Sequence, residues 1–212
     1  MLVLQRFLAV VIVAAAALTV GTPAMAAEPV GEVTRLQAEA TAKNVDENRT
    51  LQSGSDIFDG DVLSTGRQAR LEVTFVDGTV VTLGQNAVLE VTDFIYDPDG
   101  DNSVSTLDMI TGAFLMATGD IGKQDPDNVT VRTNLAVVGI RGTQFWGGPI
   151  DGNYGVLLLE GSISVTTDAG TVVLSATGEG TTVTDAGTPP SDPVIWPDDK
   201  TARAFETVTF DP

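Results

Sequence analysis

The chain has 212 residues, with 11 Lys and Arg against 29 Asp and Glu for a formal charge of −18, and it contains neither Cys nor His. A charge of that size repels phosphate backbones and anionic membrane surfaces, so nucleic acid is excluded as a partner on electrostatic grounds. The missing residue types remove disulfides, His- and Cys-based zinc sites, and the Ser-His-Asp and Cys-His nucleophile systems, so few enzyme mechanisms survive.

In chain order, Arg6 precedes an apolar run from Phe7 to Val20, and Ala24-Met25-Ala26 follows Gly21 and Pro23. This is the layout of a secretory signal peptide cleaved after Ala26, which sends the chain to the periplasm or beyond it. The run falls short of the roughly 20 residues that span a bilayer, so no integral membrane segment is expected after cleavage. No Cys stands beside the cleavage site to carry a lipid.

From Val30 onward, short β-branched runs alternate with Gly, Asp and Asn, the pattern of strands and tight turns. Arg70 to Val76 alternates and places Leu71, Val73 and Phe75 on one face; Asp77-Gly78 supplies a two-residue hairpin turn, and Thr79 to Leu83 returns. Further strands are expected at Val88 to Tyr96, Val104 to Ile110, Ala113 to Ala117, Val129 to Arg132, Ala136 to Ile140, Gln144 to Trp146, Gly155 to Leu159, Ser162 to Thr167, Thr171 to Ser175 and Thr181 to Thr184. The expected fold class is all-β, a single antiparallel-rich sheet assembly, either a β-sandwich or solenoid-like. Met109 to Phe114 echoes Leu158 to Ile163, each with a Gly between two strands. After Gly187 a Pro-rich linker begins, and Asp198 to Phe205 is compatible with a short helix that Trp196 and Phe205 dock on the domain or leave mobile. The organisation expected is a signal peptide over 1–26, an all-β domain over 27–187, and a linker and tail over 188–212.

Three places carry chemistry worth weighing. The loop from Asp97 to Ser103 sets Asp97, Asp99 and Asp101 at alternate positions, and Asp108 completes an EF-hand count, making these four a calcium candidate. Asn102 stands where that motif needs Gly and Asp108 where it needs Glu, so the loop reads rather as a solvated hairpin tip, with no cofactor and no metal assigned. Arg141 is a lone cation in the Gly-rich run Gly139 to Thr143, where pairing with a carboxylate would fix a strand crossing and an anionic ligand is the alternative. Gly119 to Lys123 lacks the spacing of a phosphate loop and reads as a turn. Nothing singles out a catalytic pair among the 29 acids.

Several separated blocks resemble the FecR domain family. They are Gly60-Asp61-Val62-Leu63-Ser64-Thr65-Gly66, then Leu71 to Phe75 running into Asp77-Gly78-Thr79, and Leu83 to Leu89. The resemblance continues with Val129 to Thr133, Val138 to Phe145 (including Arg141, Gly142 and Thr143), and Leu159 to Val165. It implies an extracytoplasmic all-β module that, in the family's best-known setting, passes an iron-uptake signal from an outer-membrane transporter to a cytoplasmic sigma factor. The sequence departs from that setting in lacking a sigma-binding segment and a following membrane span, so direct sigma-factor regulation is not expected. The expectation is a non-catalytic module contacting a membrane sensor, transporter or other envelope protein; a glycan-binding or surface structural protein and a carboxylate-pair glycosidase or lyase are the alternatives. Gly60, Gly66, Gly78 and Gly142 are expected in turns, with Asp61 and Asp77 capping them, as scaffold residues. Recognition is expected at sheet edges or loop tips.

Overall fold

The computed structural model describes residues 27–45, 47–99 and 102–211; the expected signal peptide and Asp101 lie outside them. Strands make up 53% of these residues and helices 9%, so the all-β expectation holds.

The strands, in chain order, are β1 (Gly31–Gln37), β2 (Ala40–Lys43), β3 (Asn48–Thr50), β4 (Asp56–Ile57), β5 (Val62–Thr65), β6 (Arg70–Phe75), β7 (Val80–Leu83) and β8 (Val88–Ile95). They continue with β9 (Val104–Thr111), β10 (Phe114–Ala117), β11 (Val129–Thr133), β12 (Val137–Ile150), β13 (Asn153–Thr167), β14 (Gly170–Leu174), β15 (Glu179–Val183) and β16 (Val194–Ile195). Two short helices, α1 (Asp120–Gln124) and α2 (Asp198–Glu206), complete the described chain together with a 3-10 turn at Pro126–Asn128. All strands belong to one mixed sheet, in which β9 and β11 pair in parallel.

The sheet is curled into two facing arms. One arm runs β3-β2-β5-β8-β9-β11, the other β4-β1-β6-β7-β10, and both end on β12. Phe75 of β6 and Phe94 of β8, far apart in strand order, stack with ring centroids 4.9 Å apart, which requires the arms to close over a shared core. Period-two alternation supplies that core: Leu71, Val73 and Phe75 are buried, with half-buried residues between them.

Where two separate strands were expected at 136–146, and two more at 155–167, the chain forms the continuous strands β12 and β13. Each bends midway. Residues 137–139 of β12 pair with β11 and residues 144–147 with β10, while β13 pairs with β15 through 154–157 and with β14 through 163–167. The bends fall at Gly142 (φ +56°) and Gly161 (φ +84°), within a break in the β12–β13 register. Gly112 (φ +94°) marks the matching corner between β9 and β10, so the sequence echo around Gly112 and Gly161 corresponds to two strand corners where the chain crosses between arms.

The expected two-residue hairpin turn after β6 is a three-residue loop, Val76-Asp77-Gly78. Phe75 and Thr79 close it, with Phe75 N–H donating to the Thr79 carbonyl at 2.8 Å and Gly78 N–H donating to the Phe75 carbonyl at 2.9 Å. Only Gly78 has positive φ, whereas a type I′ turn needs it at both central residues.

The tail is docked. Phe145 and Trp146 are neighbours on opposite faces of β12, yet both are fully buried. Phe145 faces the inter-arm core, and Trp146 joins a second cluster with Ala113, Leu157, Trp196, Ala204 and Val208 on the outer face of the second arm. The segment carrying β16 and α2 covers that face. Trp196 seats over Gly155 and Gly180, where an added Cβ would lie 2.7 and 2.2 Å from indole atoms. Trp146 Nε1–H donates to Thr207 Oγ1 at 3.0 Å, Arg70 donates to the Glu206 carbonyl at 3.0 Å, and Arg203 pairs with Asp151.

Candidate recognition surface

Most of the motif residues turn inward and build scaffold. Asp61 is fully buried at the mouth of β5, where it accepts from Phe58 N–H at 2.9 Å, from Asn44 Nδ2 at 3.3 Å and from Arg49. A carboxylate removed from water this completely is tolerable only with such a set of donors. Asp77 is also buried, accepting from Thr79 N–H at 2.9 Å and Thr79 Oγ1 at 2.8 Å, and its carbonyl accepts from Asp120 N–H at 2.8 Å. The hairpin loop thus holds α1, the segment expected as a plain turn at Gly119 to Lys123. Five residues carry too little periodicity to announce a helix, and this one is set by contacts from β6–β7.

Thr65 Oγ1 donates to the Gly84 carbonyl at 2.6 Å and accepts from Ala87 N–H at 2.8 Å, tying β5 to the turn before β8. Gly60 (φ +79°) and Gly78 (φ +82°) use the conformational freedom expected of them. Gly66 serves by close approach, since a Cβ there would lie 3.3 Å from the Glu39 carbonyl oxygen. Thr143 donates its N–H to Thr118 Oγ1 at 2.8 Å, which fixes the second half of β12 against the segment before α1.

Arg141 differs from all of these. The expected carboxylate partner is absent: among the described residues Arg141 is exposed and makes no ion pair or side-chain hydrogen bond. Its position just before the Gly142 bend puts the guanidinium on the outer face, away from the buried acids. It lies at one end of a trough of about 400 Å³ formed by β11, β12, β13 and β14 with the 3-10 turn, lined by Thr130, Gly139, Ser162, Ser164, Val173 and Asp127. The trough exists because its floor carries minimal side chains; a Cβ on Gly139 would come 2.7 Å from Ser164 Oγ. A planar five-donor group beside hydroxyls is suited to grip carbonyl or carboxylate oxygens.

Of the four calcium candidates, Asp101 lies outside the described residues. Asp97 accepts from Asp99 N–H at 3.2 Å in a local turn that Ser103 also braces. Asp108 sits on β9, accepts from Thr92 Oγ1, and lies 3.9 Å from Arg132. Among the described residues no group of three acids is arranged to hold a metal ion. Trp146 is fully buried and offers no face for stacking on a sugar.

Carboxyl environments elsewhere are structural. Burial raises Asp59 despite its hydrogen bond from Phe94 N–H, the Arg203 hydrogen bond lowers Asp151, and the N–H groups of Ser175 and Ala176 lower Glu179. Burial also raises Tyr154, whose hydroxyl has no hydrogen-bond partner among the described residues. No helix among the described residues is long and apolar enough to cross a membrane.

Two crystal structures of a proposed anti-sigma factor from Parabacteroides distasonis share the fold, with TM-scores of 0.53 and 0.52 at 19% sequence identity. The alignments cover 66% of this chain, which spans 62% of the length of each of those structures. A search of curated proteins found no match. The family model described as "FecR protein" matches residues 61–164, from the buried Asp61 through both corner glycines of the β12–β13 hairpin. Those residues are a FecR domain.

Proposed function

We infer that this protein is an exported FecR-like module that works in the bacterial cell envelope by protein–protein contact or signal sensing, without catalysis. Arg141 carries the reading: a motif residue that pairs with no carboxylate among the described residues, on an open trough, while its buried motif neighbours are spent on scaffold. In a chain of charge −18, carboxylates for an internal partner are abundant, so an exposed unpaired arginine is available to something outside the chain. The FecR domain and the anti-sigma-factor-like fold support a regulatory role. The glycan-binding alternative gains nothing from Trp146, which lies in the core.

The test is photo-crosslinking in intact cells with the reactive group at Arg141 and, as a control, at exposed Lys43 on β2, near the far end of the first arm. The reading expects one envelope protein captured from Arg141 and not from Lys43. Equal capture from both positions, or turnover of a polysaccharide by the purified protein, would sink it.

A further inference from the structure

The contact role needs a place where a partner can make backbone as well as side-chain bonds, and the following rests on that role. The sheet ends in four terminal strands, and they are unequally protected. Strand β3 has three residues, with its Arg49 drawn to the buried Asp61. Strand β4 has two residues. Strand β16 also has two and lies between Pro193 and Pro197, which donate no backbone hydrogen bond. Short length, charge and proline are the usual means of blunting a sheet edge.

Strand β14 has none of them. It is the five-residue run Gly-Thr-Val-Val-Leu, uncharged, free of proline, and paired with β13 alone. Pro189 approaches Gly170, but Thr171 and Val173 are exposed, Val173 at 56%. Outside the β13 ladder, no backbone hydrogen bond among the described residues reaches Thr171, Val172 or Val173. Such an edge is a template for another strand, and exposed Val173 on the trough rim offers the added strand an apolar neighbour.

We propose that β14 is a strand-addition site for an extended, β-branched partner segment with a Lys or Arg beyond the end that lies next to Asp168. Asp168 is exposed at the β13–β14 turn, and the trough carries Asp127 on its opposite lip. A second copy of the chain is the less suited occupant: β14 brings no cation to meet Asp168, and two chains of −18 repel.

The test uses two acetylated peptides, Thr-Val-Thr-Val-Lys-Lys and its Glu-Glu counterpart, with amide hydrogen exchange read across the purified protein. The lysine peptide should slow exchange at Thr171 to Leu174, and the glutamate peptide should bind about two- to fivefold more weakly at low salt. Val173→Lys, on an exposed side chain, should keep the thermal midpoint while weakening the lysine peptide. Protection confined to other segments, equal binding of both peptides, or protection of β14 without peptide together with a doubled solution mass would each overturn the inference. A photo-crosslinker at Val173 separates it from the broader reading: capture from Arg141 but not Val173 keeps the contact role and rejects strand addition. Failure at both positions rejects the two together.

Discussion

Gly112 and Gly142 both hold positive φ at strand corners, yet they should tolerate a methyl group very differently. At Gly142 an added Cβ meets nothing within 4 Å, so Gly142→Ala bears only the backbone term of about 1 kcal/mol. At Gly112 the same atom would fall 2.5 Å from Ala87, and Gly112→Ala should lose about 2–4 kcal/mol through combined overlap and backbone strain. Urea denaturation of the pair checks the contrast, and equal losses would mean that the corners are not packed as described. Asp61→Ala should be costlier, about 3–5 kcal/mol, because it leaves Arg49 without its buried counter-charge. The carboxyls with shifted affinities set the acid response. Asp151 and Glu179 are held below their ordinary range, so the stability they give is present above the unfolded value and lost as pH falls through the folded one. Asp59, raised by burial, works in the opposite sense and gains as it protonates. Because Asp151 holds Arg203 and lies near Lys200 of the tail, acidification from about pH 6 to about pH 2 should loosen the tail. The two tryptophans, Trp146 and Trp196, stack edge-to-face at 6.0 Å in the affected cluster, so a red shift in their emission reports it, and Asp151→Asn should show that shift already at neutral pH.

At the scale of elements, the tail deserves the name of a strap, since it turns the outer face of the second arm into interior. Removing residues 188–212 should expose Trp146 and Leu157 and make the protein self-associate, as size-exclusion chromatography with light scattering would show. The hairpin β6–β7 and most later strands were legible in the sequence because alternation and turn residues are local signals. The unity of β12 and of β13 was not, because Gly142 and Gly161 look like breaks in one dimension and act as bends in three. The role of α1 was hidden for the same reason: its anchor, Asp77, lies more than forty residues upstream. At the candidate site, the sequence singled out Arg141 as a lone cation and favoured an internal carboxylate over an anionic ligand, and no such carboxylate pairs with it among the described residues. The outward face of Arg141 follows from alternation with the buried Val138 and Ile140; what no local pattern encodes is the register break after it and the strands it therefore lies among.

For the molecule as a whole, the excess of carboxylates has a measurable consequence. Self-repulsion at −18 should lower the thermal midpoint at low ionic strength, and raising salt from about 10 to about 200 mM should increase it as the Debye length shrinks. An unchanged midpoint would mean that the charges are already compensated by bound counterions. The other large-scale feature is the join between the two ends of the described chain. The Gln37 amide at the end of β1 donates to Asp211 Oδ2 at 2.8 Å and accepts from Asp211 N–H at 2.8 Å, while Arg35 lies over the Phe210 ring at 4.1 Å. A polypeptide made from its N-terminus must therefore wait for Phe210 and Asp211 before β1 can be clasped. Until Trp196 to Val208 are also in place Trp146 stays uncovered, so the half-made protein presents an apolar face to its surroundings.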